Sequence, residues 1–456
     1  MKARGTAPCI RRLNPFSKRV AWLVAGIVLV ALLAAPARAG RLPPAPARLL
    51  VIAPHPDDEV LGVGGLMYSA FQQGAEVKVV FMTMGDGYSV AAGILSATAW
   101  PTPGDYLALG NHRRQEAVAA LAALGLRQQN IVFLGYPDRG LASIIDNWHW
   151  SPTEAYTSPH TGCSKSPYSF TFTPNASYCI SQIVSDLAAI LIDYMPDLIL
   201  VPHANDTHDD HHATYALSIF AIQHLDYVEL TSAEVFCYVV HSGPKWPAPW
   251  AYQPDQPLDP PPWRSQPGII WHRAELSHEA RDTKLQALRK YSSQLLLMPS
   301  FLKSFIRTNE LLAQVPVIDL SGDHDSAQAL EHDDGEAGPA LQHLRLFQPS
   351  GEITSVVARQ GDEGVSITAT LAWRPSSSIT YRLNIVGHDP SSNSEPAVDL
   401  FTYDITPAGG RSERWEVSFV VPQDDLEHIG AKALFEVVTL RRNRVIDRSG
   451  WILLFL

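Results

Sequence analysis

The sequence predicts an α/β fold: a Rossmann-like, doubly wound and mostly parallel sheet, followed by a C-terminal antiparallel β-sandwich. Three observations carry this. From Leu49 to about Leu295, short unbroken apolar runs bounded by turn residues recur, as suits strands covered on both faces. Stretches with apolar residues at helical spacing separate them, the alternation of a sheet with crossover helices. From Leu341 onward, period-two alternation takes over. The 456-residue length also exceeds what one hydrophobic core usually fills, so a second module is expected.

Taken in order, residues 1–39 read as a signal peptide. A basic stretch precedes the apolar run VAWLVAGIVLVALLA (20–34), and Ala37-Arg38-Ala39 offers a small-x-small cleavage site. The run is shorter than the roughly 20 residues that span a bilayer, so a membrane partner enters only if the leader stays uncut. Either way the body is expected to be exported: periplasmic, secreted or at the cell surface. The net charge is −11, yet the first 40 residues hold seven basic side chains and no acid, which leaves −18 for the rest. A body that acidic argues against a nucleic-acid partner. Cys9 leaves with the leader. Cys163 and Cys179 are placed to clip the loop between them in an oxidising compartment, a pairing the sequence leaves open, and Cys237 lies inside the strand-like VFCYVV.

Residues 40–318 form the expected α/β domain. LLVIAP (49–54), VKVVFMT (77–83), IVFL (131–134) and LILVP (198–202) read as buried strands, and HRRQEAVAALAALG (112–125) and SQIVSDLAAILIDYM (181–195) as helices. Pro244 to Pro267 holds nine prolines with Trp246, Trp250, Tyr252 and Trp263: a stiff surface excursion, or a wall whose aromatic faces stack on sugar rings. Residues 319–340 are acidic and Gly-rich and read as a solvated linker, since calcium-loop spacing is missing. Residues 341–456 form the expected sandwich, with VSITATLAW (365–373), YRLNIVGH (381–388), WEVSFVV (415–421) and LFEVVTL (434–440) as strands.

In a doubly wound sheet the ligand crevice lies beyond the carboxyl ends of the strands, so chemical residues should follow strands directly. Pro54-His55-Pro56-Asp57-Asp58-Glu59 follows LLVIAP, and Gly62, Gly64 and Gly65 lead on into a helical pattern. Of two adjacent carboxylates, one can hold a metal while the other stays free as a base. A single His beside an Asp is ordinarily a helix cap or surface turn. The second cluster changes that reading. After LILVP come four His and three Asp within ten residues, His203 to His212, opening the helical ATYALSIFAIQHL. His-rich tracts also scavenge metals without specificity. Two clusters at two strand ends, however, supply a two-His, one-carboxylate site with open positions, as in hydrolytic zinc centres. His203 and His212 rival His208 within the tract, and His241, ending VFCYVV at the same crevice edge, reads as a satisfied strand-end His or as a residue that touches substrate.

Residues 49 to about 310 resemble the PIG-L/LmbE-like family of zinc-dependent N-acetylglucosaminyl deacetylases. PHPDDE matches the family's first box intact, and His208-Asp209-Asp210-His211 matches the later HPDH box, with Asp209 where the family usually has Pro. Thr83-Met84-Gly85-Asp86, Arg113 to Glu116 with Ala123-Leu124-Gly125, Leu134 to Asp138 and KLQALRKYSSQ (284–294) are also similar, although Tyr291 stands where a His is often found. The resemblance implies that His55, Asp58 and His211 bind Zn2+, with Fe2+ left open because such ligands accept several divalent ions. It implies Asp57 as general base, His208 as general acid or oxyanion partner with Asp210 setting its charge and orientation, and Arg113 and Asp138 as lining of the sugar pocket. The expected function is removal of N-acetyl groups from N-acetylglucosamine-type residues of a glycan or polysaccharide. A hydrolase of another acyl amide or ester on a glycoside, or a non-catalytic glycan binder using the sandwich, stays open beside it.

Overall fold

The computed structural model describes residues 46–227, 233–243, 246–261, 269–321, 328–331, 349–388, 398–407 and 415–456. The expected leader and parts of the Pro-rich and acidic stretches, Trp263 among them, lie outside these. Strands β1 (Arg48–Ala53), β2 (Glu76–Thr83), β3 (Ile131–Tyr136), β4 (Leu198–Pro202) and β5 (Glu234–Tyr238) run parallel in the order β3-β2-β1-β4-β5. Strands β6 (Trp271–Glu275) and β7 (Asn309–Gln314) extend the sheet antiparallel, with β7 beside β5. Leu49 to Ala53 of β1 are all buried, which accounts for the unbroken apolar run. The chain winds outward from β1 in both directions, toward β2 and toward β4. The topological switch therefore falls at the carboxyl ends of β1 and β4, where both clusters begin.

Helices α1 (Asp58–Gln72), α2 (Ser89–Leu95), α3 (Pro103–Ala123), α4 (Leu141–Asp146), α5 (Ile180–Tyr194), α6 (Asp209–Tyr227), α7 (His278–Leu288), α8 (Ser292–Leu295) and α9 (Pro299–Lys303) complete the domain. They form two groups, α1 with α3 and α7, and α6 with α4 and α5, as winding on a two-sided sheet requires. Helix α3 starts where Pro103 supplies a preset φ behind a Thr102–Asp105 capping box. Helix α5 ends at Met195 in left-handed conformation (φ 49°), just before Pro196.

Helix α1 is kinked at Val63 (φ −142°, ψ 20°), which frees backbone groups inside a buried helix. Glu310 accepts from the N–H groups of Gly65 and Leu66, both at 2.7 Å. Lys284 Nζ donates to Leu61 O at 2.8 Å and pairs with Glu310 at 2.7 Å; each side chain is only 1% exposed. The glycines let α1 lie against its neighbours. A Cβ on Gly62 would collide with the Tyr238 ring, and one on Gly65 would stand 2.5 Å from Leu276. Tyr238 Oη in turn donates to Ile52 O at 2.9 Å, at the end of β1.

The C-terminal region is two sheets around one core. Strands β8 (Val317–Asp319), β9 (Gln328–Glu331), β10 (Ile353–Gly361), β11 (Gly364–Leu371), β12 (Thr380–His388), β13 (Val398–Ile405), β14 (Glu416–Pro422), β15 (Lys432–Arg441), β16 (Arg444–Arg448) and β17 (Ile452–Phe455) form sheets ordered β14-β11-β10-β9 and β13-β12-β15-β17-β8, with β16 on β15; α10 (Gln423–Ile429) adjoins them. Pairing is antiparallel except between β17 and β8. Within the stretch expected to be linker, Gln328–Glu331 pairs with β10: its backbone completes an open sheet edge, a demand that acidic composition does not reveal. Residues alternate in the larger sheet. Ile385 and Phe435 enter the sandwich core, while Val386 and Leu434 join Trp451 against Ile145, Ala216, Leu217 and Phe220 of the α/β domain. Cys163, Cys179 and Cys237 are all free thiols, so Cys163 and Cys179 are not bridged. Among the described residues no helix is long and apolar enough to cross a membrane.

Candidate active site

The two strand-end clusters meet across the switch point. The imidazoles of His55 and His211 lie 5.3 Å apart by ring centroid, although the residues are separated by more than 150 positions. Between them stands Asp58, the first residue of α1. Its Oδ2 is 2.9 Å from His55 Nδ1 and 3.0 Å from His211 Nε2. Burial alone would raise the Asp58 carboxyl, but His211 and His55 hold it well below its usual range.

The second nitrogen of each His is committed elsewhere. His211 Nδ1 is 3.1 Å from Asp206 Oδ2, and Asp206 also accepts from the N–H groups of Val240 and His241 at 3.0 Å each. His55 Nε2 lies 3.1 Å from Asp210 Oδ2 and 3.2 Å from Asp138 Oδ1. Carboxylates at these nitrogens fix them as donors and turn the opposite lone pairs toward Asp58, the outer-shell arrangement seen around metal-ligating His. His211 Nε2 is wholly buried with no aligned hydrogen-bond partner, and the 2.9 and 3.0 Å that separate Asp58 Oδ2 from the His55 and His211 nitrogens suit bonds of about 2.0–2.2 Å to one ion. The donor set of two imidazoles and a carboxylate therefore fits a divalent cation. His208 and His241 are also within reach: His55, His208 and His211 can present nitrogens to a common point, as can Asp58, His211 and His241.

Asp57, only 7% exposed, sits at φ 127° and ψ −29°, a conformation that is strained for any residue with a Cβ. Four neighbours hold it there. Its N–H donates to Glu59 Oε2 at 3.0 Å, its carbonyl accepts from Val60 and Leu61, and Arg113 Nη2 donates to its Oδ1 at 3.1 Å and to Pro56 O at 2.5 Å. The strain turns this carboxylate into the cavity while Asp58 faces the imidazoles. Burial, partly offset by Arg113, raises the Asp57 carboxyl to about 7. Glu59, pushed up to about 8 by burial, is itself gripped by Tyr291 Oη at 2.5 Å.

The structure brings all eight expected residues together, but two use their side chains differently from expectation. The Asp210 carboxylate is not bonded to His208, which meets only the backbone N–H of Asp210. That carboxylate bonds to His55 and to the N–H groups of Arg139 and Leu141, at 2.6 and 3.1 Å. Residues two apart at a helix start point to different sides, which separates it from His208. Arg113 lines the cavity, yet its terminal nitrogens serve Gly85 O, Pro56 O and Asp57. Asp138 lines the cavity beside His55, whose hydrogen bond and charge, against the effect of burial, hold it below its usual range. His208 Nδ1 accepts from Asp210 N at 3.2 Å, which leaves hydrogen on Nε2. Burial and the neighbouring imidazoles hold it well below its usual value, hence neutral and not the expected imidazolium.

The cavity is about 230 Å³, and its lining combines the polar Asp57, Arg113, Asp138, Arg139 and His208 with the apolar Leu61, Met298, Phe301 and Leu302. His241 belongs to it, stacked on Phe301 at 5.6 Å and lowered to about 4 by burial and His211. From the Pro-rich stretch, Trp250 packs edge-on behind Phe301 at 5.2 Å and Trp246 is buried. Of the rival histidines, His203 stacks on Trp271 and His212 turns toward Glu436. Sequence reading missed Asp206 and gave His241 at the crevice edge the lesser of its two readings. A carboxylate five residues before a ligand His, and a His ending a strand beside β4, were the available signals.

A family profile described as GlcNAc-PI de-N-acetylase (PIG-L) matches residues 50–222. A 1D-myo-inositol 2-acetamido-2-deoxy-alpha-D-glucopyranoside deacetylase of Mycobacterium sp. (strain KMS) is 29% identical over 178 residues, 39% of this chain and 50% of that protein. One of the same description from Nakamurella multipartita is 39% identical over 112 residues, 23% of this chain and 35% of that protein. The chain thus spans about half the length, or less, of these curated relatives. Among solved structures, an N,N'-diacetylchitobiose deacetylase from Pyrococcus horikoshii aligns at 19% identity and TM-score 0.35, covering 64% of this chain and 86% of that one. A teicoplanin deacetylase in its zinc-inhibited form aligns at 19% and 0.38, covering 58% and 97%. With the PHPDDE box at the end of β1 and the HDDH box opening α6, residues 50–222 of this chain form a PIG-L family domain.

Proposed function

We propose that this protein is an exported, divalent-metal-dependent hydrolase that removes N-acetyl groups from N-acetylglucosamine-type sugars of a glycan or glycoconjugate. One observation carries the reading: Asp58 Oδ2 stands within 3.0 Å of nitrogens of both His55 and His211, with the Arg113-held carboxylate of Asp57 next to it on the cavity wall. The family domain and the deacetylase relatives support the reaction class, and the basic, apolar first 39 residues support export.

His55, Asp58 and His211 would hold the ion, Zn2+ or Fe2+, which supplies Lewis acidity toward the acyl carbonyl and water. Asp57 accepts a proton from the attacking water. A carboxyl near 7 is matched to that task at neutral pH. His208 offers its Nε2–H to the oxyanion as the carbonyl becomes tetrahedral. The proton held on Asp57 is then available to the departing amine, so that water and amide become carboxylic acid and amine, which exchange the acid's proton to leave carboxylate and ammonium. Arg113 keeps Asp57 in place throughout. The apolar lining, Leu61, Met298, Phe301 and Leu302, receives the acyl methyl.

The test is acetate release from N-acetylated oligosaccharides by the purified protein, with chelator and then with Zn2+ or Fe2+ restored. Release that persists through chelation refutes the metal role. Absence of release from every N-acetylated sugar, with metal bound, refutes the deacetylase reading. N-terminal sequencing of protein recovered outside the cytoplasm tests the leader: an intact Met1 argues against cleavage after Ala39.

A further inference from the structure

Glu436 occupies the middle of β15 in the appended sandwich, 0% exposed, on the strand face that meets the α/β domain. A carboxylate buried there is costly unless paired. Its Oε1 lies 2.7 Å from His212 Nε2, a close ion-pair contact of two buried atoms that is not aligned as a hydrogen bond. Its Oε2 accepts from Arg448 Nη1 at 3.2 Å, and Arg448 Nη2 donates to Asp146 Oδ2, at the end of α4, at 2.6 Å. The result is a four-member charge relay, His212–Glu436–Arg448–Asp146, whose two ends lie in the α/β domain and whose middle lies in the sandwich.

His212 directly follows His211 in the first turn of α6, and its Nδ1 donates to Ala204 O at 3.0 Å. Ala204 belongs to the loop that carries Asp206, the carboxylate bonded to His211 Nδ1. The same loop is approached from the sandwich by Gly450 (φ 74°), where a Cβ would strike Asn205 Oδ1. The loop is thus gripped from the metal side by His211 and Asp206, and from the sandwich side by His212 and Gly450.

We infer that the sandwich is a working part of the metal site: Glu436 is a positioning residue that, through His212 and the Ala204 carbonyl, keeps Asp206 and His211 in ligand register. This rests on the reading of His55, Asp58 and His211 as metal ligands. A sandwich that merely adheres to the α/β domain leaves metal affinity indifferent to Glu436 as long as the protein is folded.

The experiment uses the full chain with Glu436→Gln, Glu436→Ala, His212→Gln and the double variant Glu436→Gln/His212→Gln, their folding checked by circular dichroism. Zn2+ affinity is measured by competition with a chromophoric chelator, and the absorption spectrum of bound Co2+ reports ligand geometry. Arg382→Ala, which breaks an exposed pair with Asp404 on the same sheet, serves as control. The expected result is a loss of affinity on the order of tenfold, the lower end for outer-shell partners. It comes with an altered Co2+ spectrum, no effect of the control, and a double variant no weaker than the weaker single. His212→Gln breaks the link while leaving the Glu436–Arg448 pair in place, so it carries the measurement if Glu436→Ala does not fold. Wild-type affinity and spectrum in folded Glu436→Gln and His212→Gln overturn the inference and leave the deacetylase reading standing. A wild-type chain that binds Zn2+ but releases no acetate overturns the deacetylase reading and leaves this inference standing.

Discussion

Replacing Asp57 with Asn separates base chemistry from metal binding. The amide keeps the size of the side chain and an oxygen for Arg113 Nη2, 3.1 Å away, while Arg113 stays bonded to Pro56 O and Gly85 O. Stability should therefore fall by about 0.5–3 kcal/mol, the range of ordinary point substitutions, with the retained Arg113 bonds keeping it below the cost of breaking a buried pair outright. The His55 and His211 nitrogens lie against Asp58 and not Asp57, so metal affinity should hold. What goes is the proton acceptor, worth about 100- to 10,000-fold in kcat, or about 3–5 kcal/mol of barrier. Wild-type activity should rise with pH as the Asp57 carboxyl ionises. Burial puts that carboxyl at about 7 without metal, and a cation alongside lowers it, so the limb lies at or below 7. The variant should lose this limb. The assay is acetate release at saturating substrate from pH 5 to 8, with metal content measured in parallel. Activity within threefold of wild type, or loss of metal together with activity, refutes the assignment of Asp57 as a base distinct from the ligands.

Three further outcomes follow from the same geometry. Asp206→Asn keeps the side chain's size but removes the charge behind His211, and should weaken Zn2+ binding about 10- to 100-fold in a competition titration; unchanged affinity would show that His211 needs no such support. Lys284→Met strands Glu310 and Leu61 O in a site where both side chains are 1% exposed, and urea unfolding should show a loss of about 3–5 kcal/mol. A Lys284→Met/Glu310→Gln pair should lose less than the sum of its singles. Chelation followed by titration with Zn2+ should raise the melting temperature, by about 2.7 kcal/mol of stabilisation at a hundredfold excess over Kd, and a flat melting curve across the titration argues against a resident ion.

Much of this architecture can be read from local pattern. Strands β1 to β4 were legible because each is buried along almost its whole length, which leaves an unbroken apolar run, and the two boxes were legible because doubly wound sheets place chemistry just past such runs. The partners of Asp210 and Arg113 were not. Their identities depend on which way a side chain leaves the first turn of α6 and on how near α3 comes to Gly85, both set by packing among residues far apart in sequence. His208 was expected to be charged because its nearest acids in sequence suggested it, whereas its nearest groups in space are imidazoles. Glu436 left a trace: an acid amid LFEVVTL breaks an otherwise apolar run, and β15 is buried from Ala433 to Leu440. Nothing local, however, names His212 as its counterpart.

The tight seating of Gly62 against Tyr238 fixes one position beside the site against alteration. Any side chain at position 62 must move a ring whose hydroxyl is tied to the last turn of backbone before the first box, so variation there is paid in misplaced ligands. Met298 and Leu302 line the cavity itself, on short segments between α8 and β7. Laboratory evolution toward bulkier acyl groups should therefore collect its accepted changes at Met298 and Leu302 and leave the glycines of α1 untouched.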